Sequence, residues 1–166
     1  ARFLQLAQAS LSLNGLDITR MKTTAVDFFV AAGQMRRRDE SFDIVILDPP
    51  YFSVTPRGRV DQVKETTRLI NKARPLVKHE GCLVVVNNAL FLSGQKYMRE
   101  LDELTEGGFL SFESIMPVRE DVTGYTETIV NQPPADPAPF NHPTKIVVMR
   151  VKQKQAKSNS TGQELE

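Results

Sequence analysis

Apolar positions along this chain follow two rhythms, one helical and one unbroken. Between Arg2 and Leu13, Phe3, Leu6, Ala7 and Leu11 recur on one helix face, and Asn14-Gly15 supplies the stop. Residues 17–24 read as a short strand. Val26, Phe29, Val30 and Gly33 share one face of a second helix, which runs into the polar Arg36-Arg37-Arg38-Asp39-Glu40. Ile44-Val45-Ile46-Leu47 shows no alternation, the pattern of a parallel-sheet strand buried on both faces. Asp48-Pro49-Pro50-Tyr51 ends it, because proline cannot donate to a ladder. Residues 58–77 predict a long helix with Val63, Leu69, Ile70, Ala73 and Val77 inward, bent or ended near Pro75, and His79-Glu80-Gly81 then reads as a turn. Cys82-Leu83-Val84-Val85-Val86 is a second buried-strand run, ended by Asn87-Asn88. Ser93 is placed to cap a helix carrying Tyr97, Met98, Leu101 and Leu104. Strands follow at 109–116 and 146–151, separated by an irregular stretch over 119–144.

The predicted order, α-β-α-β-α-β-α-β-β, implies an α/β doubly wound sheet. In such sheets the ligand crevice lies outside the carboxyl ends of the strands. Asp48-Pro49-Pro50-Tyr51 and Asn87-Asn88 should therefore stand side by side over one crevice.

Composition narrows the field. The chain has 166 residues, 40% apolar and 25% charged, which excludes wholesale disorder, a fibre and a disulfide scaffold. One cysteine, Cys82, and two distant histidines, His79 and His142, give no basis for a metal centre. No apolar run approaches the ~18 residues of a membrane span, and no signal peptide leads the chain. These features predict a cytoplasmic protein with no membrane partner. The formal net charge of +1 leaves nucleic-acid contact to local patches. Residues 1–152 are expected to form the folded domain, and the polar residues 153–166 a disordered tail.

The most specific feature is Asp48-Pro49-Pro50-Tyr51. Two prolines stiffen the backbone and aim the Pro49 carbonyl, the Asp48 carboxylate accepts hydrogen bonds at the crevice floor, and the Tyr51 ring offers a face for a base. Such stacking contributes roughly 1–3 kcal/mol per base. Asp48 and the Pro49 carbonyl together would hold an amino group and direct its lone pair at an electrophile, which is catalysis by positioning. The plainer alternative, a strand-ending turn, loses weight because the motif follows Ile44–Leu47 and precedes Phe52.

These residues resemble class I S-adenosylmethionine-dependent methyltransferases, and within them the bacterial enzymes that methylate large-subunit ribosomal RNA. The resemblance rests on Leu13-Asn14-Gly15-Leu16, on Asp27-Phe28-Phe29, on the run from Phe42 through Ser53, and on Val86-Asn87-Asn88. It implies a Rossmann-like fold and S-adenosylmethionine as cofactor. It further implies that Asp27 bonds the adenine amino group and Phe28 packs on that ring. Asp48, Pro49 and Pro50 would line the reaction centre beside the cofactor, with Asp48, Pro49 and Tyr51 catalytic. Asn87, Asn88, Tyr51, Phe52 and Arg57 would meet the target base or its RNA. For Asp27 the plainer reading is a helix N-terminal acid, and for Asn87-Asn88 a strand-end turn.

Two departures matter. The glycine-rich loop and the ribose-binding acid of the family are absent, and in the family they precede the helix that begins here at Arg2. The chain is therefore expected to be the N-terminally incomplete C-terminal part of a catalytic domain. A monomer would then have a gap in its sheet, which predicts either a damaged site or repair by a second copy through exposed sheet edges. Second, relatives that methylate cytosine at C5 use a cysteine nucleophile after the strand occupied here by Leu83–Val86, and this chain has Asn87-Asn88-Ala89-Leu90. A nitrogen target on an RNA base, with ribosomal RNA as substrate, is expected instead. The alternatives are a fragment that only binds RNA or a partner chain, and a methyltransferase acting on a protein or small molecule. Arg36-Arg37-Arg38, Lys152, Lys154 and Lys157 are weaker candidates for RNA contact.

Overall fold

The computed structural model describes residues 2–55, 58–123 and 132–153. Helix α1 spans Arg2–Leu13 and stops where Gly15 adopts φ 71°, as the Asn-Gly pair predicts. Residues 17–24 form no strand. Asp17 caps a short 3₁₀ turn, Ile18–Arg20, by accepting from the Thr19 amide at 2.9 Å. Among the described residues the segment pairs with no strand, and the Thr19 and Met21 amides bond locally, to Asp17 Oδ1 and the Ile18 carbonyl.

Helix α2, Phe28–Arg37, follows, then strand β1, Phe42–Leu47. The long helix expected over 58–77 is replaced by a hairpin, β2 Phe52–Thr55 against β3 Gly58–Asp61, and by a shorter helix α3, Thr66–Ala73, with a 3₁₀ turn at Arg74–Leu76. Strand β4 spans Val77–Asn87, so His79-Glu80-Gly81 lies within it. The pairing register with β1 shifts between Phe42 and Ile44, which accommodates the extra residues that read as a turn. Helix α4, Gly94–Thr105, strand β5, Leu110–Met116, a single helical turn α5, Glu120–Thr123, and strand β6, Lys145–Val151, complete the described chain.

The sheet has the order β1-β4-β6-β5, with β1 and β4 parallel and β6 antiparallel to both of its neighbours. Register places Leu47 beside Val85, and Val85 beside Val147. These residues point to one face, where they pack with Leu69, Ile70 and Ala73 of α3 and Tyr97 and Leu101 of α4. Phe28 and Phe29 of α2 pack against the same core.

The other face is not covered in the same way. Ile44 and Ile46 of β1 are 62% and 68% exposed, so β1 is not buried on both faces as its apolar run predicts. The helices that cover the sheet, α2, α3 and α4, lie on the opposite side, and α1 buries none of its residues. No described helix is long and apolar enough to cross a membrane.

Candidate active site at the carboxyl rim of the sheet

β1 and β4 run parallel and end at one rim, in Asp48 and Asn87-Asn88. The Asn88 side-chain amide donates to Asp48 Oδ1 at 3.2 Å, so the two strand ends meet directly, as the topology argument predicts. Asn88 Oδ1 in turn accepts from the Thr144 hydroxyl at 3.0 Å, just before β6. Asn87 is buried and points inward. Its amide donates to the Gln62 carbonyl at 3.0 Å, and its Oδ1 accepts from the Ala89 amide at 2.8 Å. Asn87 is thus a framework residue, a strand-end turn of the kind the plainer reading anticipates, whereas Asn88 faces the crevice.

The hub of this network is a residue that no motif pointed to. Gln62, 1% exposed, follows β3. Its Nε2 donates to the Pro49 carbonyl at 2.6 Å and its Oε1 accepts from the Asn88 amide at 2.6 Å, while its own amide donates to the Tyr51 carbonyl at 3.1 Å. The side chain of Gln62 therefore fixes both strand ends, and its backbone N–H fixes the base of the β2–β3 hairpin. The Pro49 carbonyl has two lone pairs, and Gln62 engages one of them.

Lys145 was equally silent in the sequence. Its residue is fully buried, and its Nζ donates to the carbonyls of Ala89 at 2.9 Å and Pro143 at 2.7 Å. Burial pushes its pKa down to about 8. Burial, with the Lys145 charge nearby, also lowers that of His142, whose Nδ1 accepts from the Thr144 amide at 3.0 Å. Charged residues placed at a strand start read as surface in a one-dimensional pattern, and only the carbonyls of a distant loop reveal this one as internal.

A cavity of about 250 Å³ opens at this rim, lined by Tyr51, Asn88, Leu90 and Phe91. Tyr51 is 49% exposed, consistent with a ring that stands at a mouth. Pro50 and Phe52 are exposed beside it, Phe52 as the first residue of β2 opposite Asp61. Arg57 lies outside the described residues, as do Lys154 and Lys157 of the tail.

Asp27 and Phe28 stand on a separate element. Asp27 is the N-cap of α2, with Oδ1 accepting from the Phe29 amide at 2.9 Å and the Val30 amide at 3.3 Å. Phe28 meets Phe29 edge-on, with ring centroids 5.2 Å apart. α2 leads through a short turn into the start of β1. The Arg68 guanidinium, from the first turns of α3, sits 4.6 Å from the centre of the Phe29 ring and ties the two helix starts together. A second groove, about 390 Å³, runs along α2 beside Phe29, Val30, Gly33 and Arg37. Among the described residues no group of His, Cys, Asp and Glu is placed to hold a metal ion.

Cys82 lies near the middle of β4, five residues before Asn87. At about 3.3 Å per strand residue it is some 16 Å from the rim.

No family model matches the chain. Over 96 residues it is 26% identical to a ribosomal RNA large subunit methyltransferase I of Tolumonas auensis, covering 58% of this chain and 24% of that protein. Over 92 residues it is 33% identical to a ribosomal RNA large subunit methyltransferase K of Neisseria meningitidis serogroup B, covering 52% of this chain and 25% of that protein. Among solved structures, SMU.776, assigned as a methyltransferase and complexed with SAH, matches with a TM-score of 0.70 at 18% identity, over 89% of this chain and 36% of its own. A protein of Streptococcus mutans assigned as a SAM-dependent methyltransferase matches with a TM-score of 0.68, also at 18% identity, over 89% of this chain and 35% of its own. The chain thus spans about a quarter of the length of these curated relatives and about a third of these structural neighbours. Over the part it spans, the chain has the Rossmann-like fold of the S-adenosylmethionine-dependent methyltransferases, and in sequence it resembles the ribosomal RNA large subunit methyltransferases.

Proposed function

We propose that this chain carries the acceptor side of an S-adenosylmethionine-dependent methyltransferase, acting on a nitrogen of an RNA base, with ribosomal RNA as substrate. The observation that supports this reading above all is the meeting of Asp48 and Asn88 at the rim, beside a cavity walled by Tyr51. Curated relatives named as ribosomal RNA methyltransferases support the choice of substrate.

The residues present suit one end of the cofactor. Asp27 offers a carboxylate at a helix start, and the Phe28 and Phe29 rings beside it offer apolar faces, the acceptor-plus-plane chemistry that an adenine amino group and ring require. Asp48 and Pro50 would line the cofactor's reacting end. When bound, the cofactor would supply a methyl group on a sulfonium: the nitrogen lone pair would form a bond to that carbon as its bond to sulfur breaks, and the neutral thioether, S-adenosylhomocysteine, would leave.

The chain's own work is orientation. Asp48 accepts an N–H of the target amine, and the second lone pair of the Pro49 carbonyl accepts another. With both N–H bonds held, the nitrogen lone pair has a single direction left, and Tyr51 stacks on the ring that carries it. The Asp48 carboxylate stabilises the positive charge that builds on nitrogen as the methyl arrives and accepts the proton that the methylated nitrogen then releases. Charge stabilisation and alignment of this kind are the large terms in such transfers. The distance from Cys82 to the rim argues against covalent activation of C5 by a thiolate, which supports nitrogen as the acceptor.

The test is to incubate large-subunit RNA with the protein and S-adenosylmethionine, digest it, and identify the methylated nucleoside by mass spectrometry. An N-methylated nucleoside is the expected product. C5-methylcytidine, or no methylated nucleoside, would overturn the reading.

A further inference from the structure

Phe91 has no packing explanation. It is 76% exposed, although the loop that carries it is fixed at both ends. Ala89 is fully buried, its amide bonds to Asn87 Oδ1, and its carbonyl accepts both from Lys145 Nζ at 2.9 Å and from the Leu92 amide at 3.2 Å. Leu92 is 2% exposed, and the next residue, Ser93, caps α4 by accepting from the Lys96 amide at 3.3 Å. Between these anchors only Leu90 and Phe91 face solvent, and both line the 250 Å³ cavity shared with Tyr51 and Asn88. A buried ammonium and a helix cap thus hold a phenylalanine ring out in water at the site.

We infer that Phe91, with Leu90 at its base, is the second wall of a slot whose first wall is Tyr51. The slot takes one unstacked nucleobase, so the substrate is a looped or single-stranded RNA segment rather than a paired one. This deepens the reading above and rests on it for the identity of the ligand. Three features select a base. The cavity lies below the roughly 300–1,000 Å³ of pockets for drug-sized ligands, the scale of a single flat heterocycle. Its walls are aromatic and aliphatic, suited to a π-face. Its polar edge is Asn88 beside Asp48, a donor and an acceptor that meet the hydrogen-bonding edge of a base splayed out of its stack. A flexible aliphatic side chain of a protein substrate would fill the walls but leave that edge without partners.

The test is a titration of the full chain into a short single-stranded RNA bearing one 2-aminopurine, followed by 2-aminopurine emission, with the same strand annealed to its complement as a second probe. The parent should bind the single strand more tightly than the duplex. Phe91→Ala should weaken single-strand binding by about 5- to 150-fold, the range for removing one stacking ring. Phe91→Tyr should restore it, and the duplex should be bound equally by parent and variants. The exposed position makes a folding defect a separate, visible outcome, checked by an unchanged thermal midpoint. Equal single-strand affinity in parent and Phe91→Ala, or no emission change with the parent, would overturn the inference. The titration needs neither cofactor nor turnover. Loss of binding in Phe91→Ala alongside absent methyl transfer would therefore count against the proposed reaction and leave the slot standing.

Discussion

Gln62 donates its side-chain amide to the Pro49 carbonyl at 2.6 Å, and through its oxygen holds the Asn88 amide at the same distance. The rigidity of the rim therefore does not come from the two prolines alone. Proline fixes φ, and Gln62 fixes where the carbonyl between β1 and Pro50 points. Gln62→Met keeps the side chain's length and leaves the half-buried Asn88 backbone N–H and the Pro49 carbonyl without this partner. The cost should be about 1–3 kcal/mol of stability, read as a lower urea midpoint. Gln62→Glu should cost more at neutral pH, because a carboxylate cannot donate to Pro49, and should recover as acid protonates it.

Lys145 gives the fold a pH signature. Burial pushes its pKa down to about 8, against about 10.4 in an unfolded chain. Between those values the unfolded chain holds a proton there that the folded chain has released, so stability rises with pH across that window. Below it both states are protonated and the folded state carries the full cost of the buried charge. Tyr97 is shifted upward, chiefly by burial, so its opposing contribution begins only above the ordinary tyrosine range. Urea midpoints near pH 7.5, 8.5 and 9.5 should climb in the parent and be flatter in Lys145→Met.

Tyr97 is fully buried against Phe140, with ring centroids 5.8 Å apart, and its hydroxyl has no hydrogen-bond partner among the described residues. A buried hydroxyl without a partner costs about 1–3 kcal/mol. Tyr97→Phe removes that cost and keeps the ring contact, so the thermal midpoint should rise rather than fall.

Asp27 has two duties that one pair of variants separates. As N-cap it stabilises α2, and Asp27→Ala should cost about 1 kcal/mol. Asp27→Ser keeps a capping oxygen and should recover most of that stability. If the carboxylate also holds the adenine amino group, Asp27→Ser should still bind S-adenosylmethionine more weakly by calorimetry than a parent of equal stability.

The parts of this fold that could be read from the chain are those where pattern and packing agree. Ile44–Leu47 and Leu83–Val86 are strands, as their short runs rich in β-branched residues predict, and their chain order brings Asp48 beside Asn88. The Asn14-Gly15 stop and the Ser93 cap are local chemistry and were legible for that reason. The β2–β3 hairpin was hidden because Val63, Leu69, Ile70, Ala73 and Val77 also fit a helical stripe, and the strand signal of Val54, Thr55 and Val60 is short. Gln62 and Lys145 were hidden for a different reason. A polar side chain goes inside only when carbonyls arrive from elsewhere in the chain, here from Pro49, Ala89 and Pro143, and no window along the sequence contains that information. The 17–24 segment failed as a strand where Asp17 caps a local 3₁₀ turn, a side-chain-to-backbone bond that competes with extended pairing.

Radiolabelled methyl transfer from S-adenosylmethionine to large-subunit RNA, compared between the parent and Asp48→Ala, addresses the acceptor shelf most directly. The account predicts incorporation by the parent and a loss of about 100-fold or more in Asp48→Ala, with the thermal midpoint little changed because the carboxylate is exposed. Equal incorporation by the two proteins, or none by the parent, would contradict it.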